Sequence, residues 1–186
     1  MEPDFSIRRS TPTDIDRIME IYDSAKYYMR SQGNFDQWTG GYPDRDTILT
    51  DIAHWSHYLA EDEEGNLLMV FSFILGDDPT YKVIEHGKWL NDKPYGTIHR
   101  IASAGVRGGM LKACVDYCKK KTDNIRIDTH ADNSPMQNAL HRLEFSFCGL
   151  IYTADGSPRL AFQKDFRPKI MMEIDFRYDD DSTYTT

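Results

Sequence analysis

The sequence predicts one α/β domain built on a mixed, partly parallel central sheet of about seven strands flanked by helices. Three features predict it. Short apolar runs recur along the chain between clusters of turn residues, as strands do. In the middle of the chain these runs alternate with helical segments, and a strand–helix–strand connection within one sheet makes its two strands parallel. The hairpin signals that flank this middle part make the sheet mixed.

Phe5–Arg9 reads as the first strand. Thr11 follows as a helix cap, with Pro12 in the first helical position, where its missing N–H costs nothing. Ile15, Ile18, Met19, Tyr22, Ala25 and Met29 recur at helical spacing and give that helix one buried face. A loop rich in Gly, Asn and aromatics runs from Arg30 to Pro43, and a shorter helix from about Asp44 is expected to bury Ile48, Leu49 and Ile52. His57–Glu61 and Leu67–Leu75 are strands joined by a hairpin turn at Asp62–Asn66. Gly76–Pro94 is a long connection containing Trp89. Tyr95–Ser103 is the next strand, and the loop Ala104–Gly109 leads from it into a helix from about Gly109 to Lys121. Asn124–Thr129 is a strand and Ser134–Leu143 a helix, started by Ser134 and Pro135. Phe147–Tyr152 and Arg159–Asp165 are strands joined through Ala154–Ser157.

Residues 1–166 thus form the domain, and 167–186 are read as an extension. Ile170, Met172, Ile174, Phe176 and Tyr178 recur with a period of two, which predicts an extra strand over about 169–178 before an acidic, mobile end. That strand could pair within the sheet or across a dimer, so both monomer and homodimer stay open.

Composition narrows the function classes. A chain of 186 residues is one domain's worth and long enough for a sizeable core. A net charge of −8 argues against a protein whose main work is gripping nucleic acid or an anionic membrane surface. No apolar run approaches the length of a membrane span, and the first residues hold no secretory signal. Three cysteines, Cys114, Cys118 and Cys148, do not make a disulfide framework. Cytoplasmic residence with reduced thiols is the simplest expectation.

The segment richest in chemistry is the strand Tyr95–Ser103, the loop Gly105–Gly109 and the helix after it. Glycines entering a helix expose backbone N–H groups, and the helix N-terminus adds partial positive charge, which together suit a pyrophosphate. By itself a glycine pair before a helix is also a plain turn. A second unit adds weight: the strand ending at Thr129, then Asn133, a helix, and Phe145 leading into another strand.

With these two units on one chain, the sequence resembles the GNAT N-acetyltransferase superfamily, in a bacterial branch of unassigned substrate. The resemblance covers roughly Phe5 to Asp165. It implies that acetyl-CoA is the cofactor and that its acetyl group passes to an amine of a small molecule or peptide. It implies that Ile101, Ala102 and Ser103 pair with the pantetheine arm, and that Arg107, Gly108, Gly109, Met110 and Leu111 cradle the pyrophosphate. Asn133 would face the cofactor, and a backbone N–H near Ile101 would steady the oxyanion. The chain departs from the family pattern at three places. Met110 and Leu111 are bulky for the glycine loop, Glu144 stands where the family has Gly before Phe, and Leu140 stands where it often has a Tyr that protonates the leaving thiolate. A module that binds acyl-CoA without catalysis is therefore the alternative reading.

An amine near pKa 10 needs a base more than a thiolate needs an acid. His99 is the candidate base, since imidazole titrates near neutrality; on a regular strand it shares a face with Thr97 and Ile101. A histidine merely packed on the sheet is the competing reading. The resemblance places acceptor specificity near the first helix and its loop, where Trp38, Tyr42, Tyr27 and Tyr28 lie, with Trp38 and Tyr28 as candidates and Trp89 as an opposite wall. Core packing is the alternative for Tyr28, and anchoring of the long connection for Trp89. Asp128, His130 and Asp132 alternate like metal ligands, but one extended segment rarely wraps an ion, so no metal is expected.

Overall fold

The computed structural model describes residues 4–167. Both the strand expected over about 169–178 and the acidic end lie outside the described residues. Among the described residues, seven strands and four α-helices follow the expected order. They are β1 Phe5–Arg9, α1 Ile15–Ser31, α2 Arg45–Ala53, β2 His57–Asp62, β3 Leu67–Leu75, β4 Gly96–Ser103, α3 Met110–Lys119, β5 Asn124–Thr129, α4 Ser134–Arg142, β6 Ser146–Tyr152 and β7 Pro158–Asp165. The sheet order is β1-β2-β3-β4-β5-β7-β6, and among the described residues only β4 and β5 are parallel. No helix among the described residues is long and apolar enough to cross a membrane.

Local chemistry sets the helix ends. Thr11 and Asp14 form a capping box around a single 3-10 turn, Pro12–Asp14, which feeds α1. Asp14 is buried and held by a two-pronged contact from Arg8, whose guanidinium keeps its carboxyl well below the usual carboxylate range despite burial. Asp44 caps α2 by accepting from the Thr47 N–H at 2.8 Å. α1 buries Ile15, Ile18, Tyr22 and Met29, one stripe at helical spacing.

Helices and loop cover the two faces of the sheet separately. On one face Met110, Cys114, Val115 and Cys118 of α3 and Leu140 of α4 pack on Phe71, Phe73, Ile98, Ile125, Ile127 and Phe162. On the other, α1 and α2 pack Ile18, Tyr22, Ile48 and Ile52 on Leu59, Val70 and Ala102. Each fully buried side chain of this kind contributes about 1.5–3 kcal/mol. The rest of that second face is covered by the 76–95 connection, whose Tyr81, Ile84, Trp89 and Tyr95 pack on Ile151 and Ala161. This connection lies backbone to backbone on β6. A Cβ on Gly87 would meet the Cys148 carbonyl oxygen at 2.1 Å, so only glycine permits the approach.

β4 carries a kink that positions the site. Val70 pairs with Ala102 and Ser72 with His99, so Phe71 alone stands opposite Arg100 and Ile101. The extra residue is Arg100, at φ +51°. This bulge corrects the alternation expected for β4. Ile98 and Ile101 both pack on the α3 face, while Ala102 packs on the α1 face. His99 therefore shares its face with Thr97 and not with Ile101.

Candidate active site

β4 and β5 pair only at Gly96–Ile125, Thr97–Arg126 and Ile98–Ile127. Beyond Ile98, β4 runs on to Ser103 against β3 alone, and β5 runs on against β7 alone. The two strands thus part, and among the described residues no strand pairs with β4 on the β5 side beyond Ile98, the Arg100 carbonyl being taken by Tyr22. The loop at the end of the same β4 enters α3 through Gly109, at φ +80°, and among the described residues no side chain caps that helix. α2 and α4 are capped by their own side chains and α1 continues from the 3-10 turn before it, whereas α3 starts straight from the glycine loop. Met110 is buried in the core and Leu111 packs against it, so the bulk of both side chains is spent inward. Arg107 pairs with Asp4 at 2.5 Å and lies over the Phe5 ring, towards β1. Ser103 Oγ accepts from the Gly105 N–H at 3.1 Å and braces the loop.

On the α1 face, just past the last β4–β5 pair, stands His99. Its Nε2 lies 2.7 Å from Asp78 Oδ2. Asp78 is a loop residue whose other oxygen accepts from the Thr80 N–H at 2.8 Å and the Thr80 hydroxyl at 2.6 Å. Burial works to raise the Asp78 pKa, but the bonds from His99 and Thr80 outweigh it and hold it at about 2. Continuing the register one step places Asp128 of β5 across the parting from His99. Asp128 accepts from the Tyr81 hydroxyl at 2.7 Å, and the Tyr81 ring lies 5.9 Å from that of His99. Burial and the Asp128 charge keep this phenol protonated, well above its ordinary range.

The Arg100 bulge is clamped from both sides. Its guanidinium reaches Asp51 at 2.6 Å and the Tyr42 hydroxyl at 2.8 Å, and its carbonyl accepts from Tyr22 at 2.8 Å. Tyr22 in turn meets the buried His57, which also pairs with Ser10 at 2.7 Å. Burial pushes the His57 imidazole down to about 4, against the pull of Asp51, so it sits neutral in this network.

The aromatic candidates divide. Trp38 is half-buried, with its ring edge-on to Tyr22 at 5.6 Å, while Tyr28 and Tyr27 are exposed on α1. Trp89 stacks on Tyr81 at 5.2 Å, donates its indole N–H to the Tyr81 carbonyl and lies under Arg126. That arrangement is the anchor of the long connection. Asn133 caps α4 by accepting from the Met136 N–H at 3.2 Å and donates to Gln37 at 3.0 Å, which ties the end of β5 to the loop after α1. Asp128, which alternates with His130 and Asp132 in the sequence, lies apart from them. Asp36 instead joins His130 and Asp132, with ligand atoms within 4.8 Å of one another.

Asp78, Asp51, Tyr22 and Gln37 were not legible as site residues. The one available signal was Asp78–Pro79–Thr80, an Asp placed to cap a turn; its contact with His99 depends on how the long connection folds back.

A solved acetyltransferase of the GNAT family from Streptococcus agalactiae is 34% identical to this chain, covers 89% of it and 96% of its own length, and superposes with a TM-score of 0.78. The chain belongs to the GNAT acetyltransferase family. A Listeria monocytogenes GNAT acetyltransferase shares the fold at 20% identity, with 87% of this chain and 94% of its own covered and a TM-score of 0.66. So does the protein yncA from Salmonella typhimurium, solved with its cofactor acetyl-CoA, at 13% identity, 90% and 97% coverage and a TM-score of 0.57. No family model and no curated protein matches the chain.

Two departures of this GNAT chain now have a structural account. Leu140, in place of the Tyr, is fully buried in the core. Glu144, in place of the Gly, still takes the glycine-like conformation, at φ +59°. The Phe145 N–H reaches the Leu140 carbonyl and the Glu144 N–H that of His141, the pattern that closes a helix through a left-handed residue. Among the described residues the side chain gains only an exposed contact with Lys164 at 3.1 Å. Glu144→Gly is therefore expected to stabilise the fold by about 0.5–1 kcal/mol, a rise of roughly 1–4 °C in Tm by calorimetry. A lower Tm would mean that the Lys164 contact outweighs the backbone cost.

Proposed function

We propose that this chain transfers the acetyl group of acetyl-CoA to a primary amine of a small molecule or peptide. One observation carries the reading: the strand pair parts at the base of the same loop that delivers uncapped amides at the start of α3. The residues fit the cofactor. The open backbone of Ile101–Ser103 suits an extended amide-bearing arm, and the Gly108–Leu111 amides with the α3 dipole suit a diphosphate. The cofactor supplies an acetyl thioester, whose thiol is acidic enough, near pKa 8.5, to leave without a dedicated proton donor. That the same fold in yncA holds acetyl-CoA supports the assignment.

The acceptor is read as entering from the α1 face, opposite α3, where His99 takes the proton from its ammonium through a side chain still partly open to solvent. On this reading the exposed Tyr28 and the half-buried Trp38, which meets Tyr22 edge-on, contribute to the acceptor approach, and Trp89 supports it by holding Tyr81. Three free cysteines fit a reducing compartment such as the cytoplasm.

The buried Leu140 favours a second reading, an acyl-CoA-binding module without turnover. Calorimetric titration with acetyl-CoA, then thiol release against a panel of primary amines, decides between them. Binding with amine-dependent release is expected. Binding without release leaves the module, and no binding overturns both.

A further inference from the structure

We propose that Asp78 is a positioning residue that fixes the ring tautomer of His99, keeping the proton on Nε2 and leaving Nδ1 as the nitrogen that receives the acceptor's proton. The inference rests on the reading of His99 as base.

The geometry supports it in three steps. Asp78 Oδ2 lies 2.7 Å from Nε2, and among the described residues no hydrogen bond reaches Nδ1. A carboxylate only accepts, so the ring nitrogen facing it must carry the proton. The two threonine contacts to the other carboxylate oxygen come from a backbone N–H and a hydroxyl, so that oxygen is also fixed as an acceptor. The carboxylate is further steadied through its own backbone, whose N–H donates to the Tyr95 hydroxyl at 2.9 Å. Tyr95 stacks on Tyr81, and Tyr81 bonds Asp128 across the parted strands. A loop residue is thereby held by the same strands that frame the gap. When His99 takes a proton at Nδ1, the ring becomes a cation already paired with a carboxylate at Nε2.

Asp78→Asn tests this with little change in shape. The amide's single oxygen is claimed by the Thr80 donors, so its NH2 faces His99 and demands a lone pair on Nε2. The proton then moves to Nδ1, the wrong nitrogen for a base. Nitrogen-15 NMR of the histidine rings reads this directly. In the wild type the His99 signal is expected with Nε2 protonated and Nδ1 bare, and in Asp78→Asn the two are expected to exchange. Turnover in Asp78→Asn should fall by roughly tenfold or more, with acetyl-CoA affinity unchanged, because the neutral ring then presents an N–H instead of a lone pair to the acceptor. A wild-type His99 protonated at Nδ1 overturns the proposal. So does an Asp78→Asn variant with wild-type tautomer and rate beside a slow His99→Ala, and that pair of results leaves the base reading intact. A wild-type rate in His99→Ala removes the base reading, and the role of Asp78 with it.

Discussion

His99→Ala is expected to lower kcat/KM for the amine acceptor by roughly 100- to 10,000-fold, the usual contribution of a positioned general base. The loss should depend on pH in a specific way. An alkylamine near pKa 10 is almost wholly protonated at neutral pH, and each unit of acidification removes about nine-tenths of the remaining free amine. The wild type can draw on the abundant ammonium form through His99, whereas the variant waits for amine that is already neutral. The ratio of wild type to variant should therefore widen as the pH falls from about 9 towards neutrality. Acetyl-CoA affinity should stay the same, since His99 stands on the face opposite α3. A ratio that is flat across pH would remove His99 from proton transfer and return it to the packed histidine of the competing reading. The substitution leaves the Asp78 carboxylate partly buried without its histidine, so a modest fall in stability is expected alongside.

Most of the frame was legible because local signals and global packing agree. Pro12, Asp44, Ser134–Pro135 and the hairpin turn at Asp62–Asn66 each start or join an element where the structure does. The face assignment of β4 was not legible beyond His99. A bulge adds one residue without any change in composition, and Arg100 is no usual choice for positive φ, so nothing local marks it. What holds it there are Asp51, Tyr42 and Tyr22, brought from three other segments of the chain. The same applies to Asp78, which lies 21 residues from His99 in sequence. Glu144 hides a glycine role behind a charged side chain, so the sequence showed a departure from the family where the backbone made none. A sequence reports propensities one segment at a time, while the site is assembled from pairs whose partners the fold selects.

Gly108→Asp tests the other half of the site, the bare helix start. Gly108 has no positive φ, and a Cβ built there meets nothing within 4 Å, so the backbone accepts the change without strain. A carboxylate at this point would stand beside the amides assigned to the pyrophosphate. Two like charges about 5 Å apart in an effective dielectric of about 40 repel by roughly 1.7 kcal/mol, and a diphosphate carries more than one charge. Acetyl-CoA affinity should therefore drop about 100-fold or more by calorimetry, with weaker loss at high salt. Fold stability should move the other way. An acidic side chain just before α3 interacts favourably with the helix dipole, so Tm should hold or rise slightly. That opposition of sign distinguishes a ligand site from a structural turn, because damage to a turn would lower both. Gly108→Ala supplies the control: it adds volume without charge and should cost far less affinity. Equal affinity in wild type and Gly108→Asp would mean that no phosphate approaches these amides, and the parted strands of β4 and β5 would then need another occupant.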